Sequence, residues 1–140
     1  MSDAVALERE TSRLLQAGFA IADERGPDPE AFGDQLVVLT RGGIRVSLVR
    51  DRGQTYLTLA KISSPTGRDL GVWESCMDDE TPSLETRDLE ADVDLLLGRL
   101  PDFESFVIAS RPETDACLRE AGQWRFSQRR LLGLITYPAS

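Results

Sequence analysis

The stretch Ile44-Arg45-Val46-Ser47-Leu48-Val49-Arg50-Asp51-Arg52-Gly53-Gln54-Thr55-Tyr56-Leu57-Thr58-Leu59-Ala60 reads as two strands joined by a tight turn. Ile44, Val46 and Leu48 alternate with Arg45 and Ser47, and Leu57 and Leu59 alternate with Tyr56 and Thr58. A period of two marks a sheet with one buried face and one wet face. Asp51-Arg52-Gly53 has the length and glycine of a hairpin connection. Upstream, Gln35–Thr40 is a third strand, separated from Ile44–Arg50 by Arg41-Gly42-Gly43. Downstream, Gln54–Ile62 runs into a turn built on Ser64-Pro65-Thr66-Gly67, after which Leu70–Cys76 is expected to return as a further strand. Phe19-Ala20-Ile21-Ala22 alternates briefly and is another candidate strand. Gly26-Pro27-Asp28-Pro29 reads as loop, because proline donates no ladder hydrogen bond. The expectation is an antiparallel meander of four or five strands.

Helical spacing governs both flanks. Ala4, Leu7, Thr11, Leu14, Leu15 and Gly18 follow the i, i+3/i+4 rule, so residues 3–17 are expected to form an amphipathic helix capped by Ser2 or Asp3. Leu89, Val93, Leu96, Leu97 and Leu100 share one side of a later segment, which Pro101 should stop. Phe103, Phe106 and Val107 have the spacing of a short helix. Ser110-Arg111-Pro112-Glu113 reads as a capping box with proline in the first turn, where a helix should start. It places Cys117, Leu118, Ala121, Trp124 and Leu131 on the core side. Gly122 weakens that helix, and the sequence leaves open whether residues 123–137 continue it or become extended. The fold class is therefore α+β: an N-terminal helix, the meander, then two or three C-terminal helices on one sheet face, within a single domain of residues 1–140.

Composition removes much chemistry. The 140 residues include no histidine, so Ser/His/Asp and Cys/His catalysis and histidine zinc sites are excluded. Two cysteines cannot build an all-thiolate structural zinc site. Lys61, the single lysine, is followed by Ile62, so there is no phosphate loop ending in Gly-Lys-Ser/Thr. No catalytic residues, cofactor or metal are expected. The N-terminal Met-Ser-Asp-Ala-Val lacks a basic region and a long apolar core, so a cytoplasmic location is expected, with Cys76 and Cys117 as separate buried thiols.

Net charge is −8, but residues 69–104 alone carry twelve acids against Arg87 and Arg99. That excess disfavours nucleic acid and anionic membrane and suits a protein partner with a basic surface. The docking candidates are Asp78, Asp79 and Glu80 in one run, and Asp88, Glu90, Asp92 and Asp94 on the outer side of a helix. Arg50 and Arg52 are expected to form a charged hairpin prong suited to pairing with carboxylates. Tyr56 and Trp73 are placed by alternation on the wet sheet face, where aromatics anchor interfaces.

Helix, antiparallel meander and helices, with Val49-Arg50-Asp51-Arg52-Gly53-Gln54 at the centre of the stretch Ile44–Ala60, resembles small bacterial proteins that look like immunity proteins of polymorphic-toxin systems. The resemblance implies a non-enzymatic module that occludes a toxin by binding its active surface. It carries no catalytic residues. The competing expectations are an enzyme using carboxylates or a divalent cation, and a small-molecule pocket between sheet and helices. Oligomeric state is left open, a homodimer being compatible.

Overall fold

The structure is a computed structural model that describes residues 3–28, 30 and 33–133. Helix α1 (Asp3–Gln16) precedes strands β1 (Ala20–Asp28), β2 (Asp34–Arg41), β3 (Ile44–Asp51), β4 (Gln54–Lys61) and β5 (Arg68–Asp69). Helices α2 (Leu70–Asp78), α3 (Leu89–Gly98), α4 (Leu100–Ile108) and α5 (Pro112–Leu131) follow. The strands form one antiparallel sheet in chain order. The α+β arrangement follows the alternation in the sequence.

Register fixes two faces. Val37 pairs with Leu48, and Leu48 with Leu57; Leu39 pairs with Val46, and Val46 with Leu59. All six are buried, with Ile44 beside them. Leu7 and Leu14 of α1, Leu70 and Trp73 of α2, Leu89, Val93 and Leu96 of α3, Phe103 and Val107 of α4, and Leu118 of α5 join this core. Two-residue turns set the register. Gly42 (φ 56°) lies between Arg41 and Ile44, and Arg52 (φ 52°) with Gly53 (φ 79°) lies between Asp51 and Gln54. Positive φ is what such hairpins require, and it is why glycine recurs there.

Several sequence expectations need correction. Leu70–Cys76 is helical, not a strand. Leu70, Trp73 and Met77 repeat at helical spacing, and α2 begins directly after the short β5. The strand after the Ser64–Gly67 turn is instead the two-residue β5, and the strand expected at Phe19–Ala22 is β1, which runs on through Gly26-Pro27, read from the sequence as loop. As a sheet-edge strand with a register irregularity between Arg25 and Asp28, it tolerates proline. Pro101 does not merely end a helix; it occupies the first turn of α4, where a missing N–H costs nothing. Residues 123–131 continue α5 through Gly122, so Trp124–Phe126 is helical, while residues 134–137 lie outside the described residues. Among the described residues four helices follow the sheet, and the cap of α5 is Arg111, with Thr114 as its partner, rather than Ser110 with Glu113. Trp124 is not on the core side, and Leu131 is 78 % exposed.

The cysteines are also corrected. Cys76 of α2 and Cys117 of α5 form a disulfide, with Cα atoms 6.1 Å apart. Sequence spacing conceals this because α5 returns alongside α2, and Leu118, next to Cys117, enters the core. The intact oxidised chain should be lighter than the reduced chain by two hydrogens. The bond closes a long loop (sequence separation 41). Reduction or Cys117→Ser should therefore lower unfolding free energy by about 2–4 kcal/mol. Denaturant unfolding with and without reductant measures it, and an unchanged midpoint would contradict the cross-link.

Candidate functional site

Folding consumes most of the candidate acids. Arg99 holds Asp78 through two guanidinium bonds of 2.7 and 2.8 Å. Those hydrogen bonds keep the Asp78 carboxyl below its usual range against a smaller desolvation effect. Asp88 caps α3, its Oδ1 accepting from the N–H of Ala91 at 2.8 Å. Glu90 pairs with Arg9 and Asp94 with Arg13, tying α3 to α1. Asp79 is the left-handed C-cap of α2 and, with Glu80, stays exposed. Asp92 departs furthest from expectation. It is 4 % exposed rather than on the solvated side, and accepts from Arg87 Nε at 3.0 Å. Burial pushes its carboxyl up to about 6, opposed by that hydrogen bond.

The other candidates divide. Trp73 is not on the wet face: it is 3 % exposed, edge-on to Phe106, and its Nε1 donates to the Leu59 carbonyl at 2.7 Å. That bond satisfies a β4 carbonyl beside the short β5. Arg50 folds back, its Nε donating to the Gly33 carbonyl at 2.7 Å, so it latches the β1–β2 connection instead of projecting. Arg52 remains exposed at the hairpin tip, with its N–H on Asp34.

Tyr56 is where alternation puts it, 40 % exposed on the outer sheet face. Register lines it up with neighbours: Arg25 pairs with Leu36, Leu36 with Val49, and Val49 with Tyr56. α1, α3 and α4 pack on the opposite, buried face, while α5 borders the row only at Tyr56. Asp34 and Asp51 share the face one step nearer the hairpin tip, because Gln35 pairs with Arg50 and Asp51 with Gln54. The phenol is raised by desolvation, then by Asp51 and Asp34. Arg25, Asp34, Leu36, Val49 and Asp51 line a recess of about 420 Å³ here. The recess thus combines an apolar floor with the Asp34 and Asp51 carboxylates and the Arg25 and Arg50 guanidinium groups, Arg50 being turned toward the Gly33 carbonyl. Asp34 and Asp51 were not among the sequence candidates, although the parity that exposes Tyr56 exposes Asp51 too. Asp34 needed the hairpin register.

On the far side of β4, three charged heads converge over Gly71. A Cβ there would stand 2.9 Å from Arg125 Nη1, 3.1 Å from Arg87 Nη2 and 3.2 Å from Asp69 Oδ2. Arg125 pairs with Asp69 and donates to the Glu85 carbonyl at 3.0 Å. Arg129 donates to the Leu84 and Glu85 carbonyls at 3.3 and 2.8 Å. Together they hold the segment between α2 and α3 against α5. Sequence reading missed this cluster, since its members lie on four separate segments.

Among the described residues, no three potential metal ligands stand together. No described helix is long and apolar enough to cross a membrane.

Asp92 generates a prediction about pH. Its folded value near 6 lies above the ordinary aspartate value of about 3.9, so the native state holds the proton more tightly. The resulting stabilisation is full below about pH 4 and is lost as pH rises through 6. Asp92→Asn should remove a decline of order 2–3 kcal/mol between those limits. Urea midpoints of both proteins at pH 4, 5, 6 and 7 isolate it, because Asp78 contributes equally to both; parallel profiles would refute the assignment.

Comparison of the chain with models of known families, with curated proteins and with solved structures gives no significant match, and the functional reading rests on this geometry.

Proposed function

We propose that the chain is a non-enzymatic protein-binding module of immunity type, which acts by covering the active surface of a basic partner; the Cys76–Cys117 disulfide withdraws the cysteine argument for a reducing cytoplasm. The observation that carries this reading is the open outer-face row Leu36–Val49–Tyr56 with Asp34 and Asp51 at its margin. An apolar strip beside carboxylates suits a partner's lysine or arginine: the aliphatic stem lies on the strip, and the cation meets a carboxylate or the tyrosine ring. Net charge of −8 favours encounter with such a partner. Asp79 and Glu80 remain exposed and add to that field. The paired acids Asp78, Asp88, Glu90, Asp92 and Asp94 have internal roles, so contact is assigned to the sheet face and steering to the acidic excess.

The immobilised chain should retain a basic protein from a lysate of its source cells, and raised salt should release it. Tyr56→Ala should weaken capture roughly thirtyfold, as loss of a central aromatic anchor does. Asp51→Asn should weaken it less and flatten the salt dependence. Both should melt within a few degrees of the parent chain, since exposed changes alter stability by about 0.5 kcal/mol. Retention that is indifferent to Tyr56, Asp51 and salt would overturn the reading, and so would a retained partner whose activity is unaffected.

A further inference from the structure

Between β4 and the C-terminal half of α5 lies a groove of about 500 Å³, lined by Tyr56, Thr58, Arg68, Arg125, Phe126 and Arg129 with Asp69 at its edge. Its charges are not balanced. Arg125, 7 % exposed, is matched by Asp69, and its Nε is buried without a hydrogen-bond partner. Arg129 donates to two backbone carbonyls, which bring no negative charge. Its cation is disfavoured first by burial and then by Arg125. Arg68 makes no ion pair among the described residues. Asp69 is the one carboxylate of the lining, set against three guanidinium groups.

We propose that this groove binds a small molecule in which a carboxylate is carried by a flat apolar ring. A guanidinium fork matches a carboxylate in plane and spacing. Tyr56, Leu57 and Val72 supply the apolar wall, and the volume falls in the range that small ligands occupy, about 300–1,000 Å³. A monoanion suits the site better than a dianion, because Asp69 stays in the lining. The groove shares only Tyr56 with the proposed docking face and differs from it in charge: the Asp34–Asp51 recess sets two carboxylates against two guanidinium groups, whereas this groove sets three guanidinium groups against one carboxylate.

The test is a titration of the oxidised, ¹⁵N-labelled full chain with benzoate, alongside benzyl alcohol and inorganic phosphate. Benzoate should produce saturable amide shifts at Thr58, Gly67, Gly122 and Arg129. Benzyl alcohol, lacking the charge, and phosphate, lacking the ring, should produce none. Arg68→Gln and Arg129→Gln should each weaken benzoate roughly tenfold, the effect of removing one charge-assisted partner. Arg68 makes none of the contacts that hold residues 84 and 85, so its variant keeps the test valid if Arg129→Gln loosens that segment. Absence of saturation, equal shifts with phosphate or alcohol, or benzoate binding unchanged in Arg68→Gln would overturn the proposal.

Discussion

Burial of the sheet face centred on Ile44, Val46 and Leu48 is the constraint on which the other elements depend. β3 is the central strand, and its side-chain period of two divides the whole sheet into a dry face and a wet one. Leaving the dry face in water would expose aliphatic surface worth roughly 1.5–3 kcal/mol per side chain. α1, α3 and α4 therefore lie across it, each contributing a narrow apolar stripe. A one-residue slip at either hairpin would exchange the faces, so the two short turns are as necessary as the core they align.

Arginine organises what the core does not reach. Arg99 joins α4 to the end of α2 through Asp78, and Arg9 and Arg13 join α1 to α3. Arg125 and Arg129 bind the irregular segment before α3 through its carbonyls. The guanidinium fork makes several directed bonds at once, which a point charge on a lysine cannot do. A strongly acidic middle segment is thereby converted largely into internal structure. Its formal charge still contributes to the long-range field, yet most of its individual carboxylates have local partners.

The wet face and the α5 margin present two different recesses on either side of Tyr56. One sets two carboxylates against two guanidinium groups beside aliphatic groups; the other sets three guanidinium groups against one carboxylate beside aromatic and aliphatic groups. The disulfide from Cys76 to Cys117 fixes α5, and hence one wall of the second recess, to the body of the protein. Both recesses draw on residues from several strands and helices, and neither contains a constellation recognisable along the chain.

The period-two pattern of residues 35–61 and the glycine turns determined the meander, its register and the face that is buried, because those follow from backbone geometry within a few residues. The same local logic set α1, the apolar side of α3 and the start of α5, and it exposed Tyr56. It misplaced Trp73 because Leu70–Cys76 satisfies a short alternation as well as a helical spacing, and only packing against β4 and Phe106 chooses between them. It placed Asp92 in solvent because the helix pattern cannot show that Arg87 turns back to meet it. The disulfide, the cluster over Gly71 and both recesses were decided by the tertiary structure alone. Each joins residues that are distant in sequence, and their proximity depends on how α5 returns past α2 or on how strands align, which no local spacing encodes.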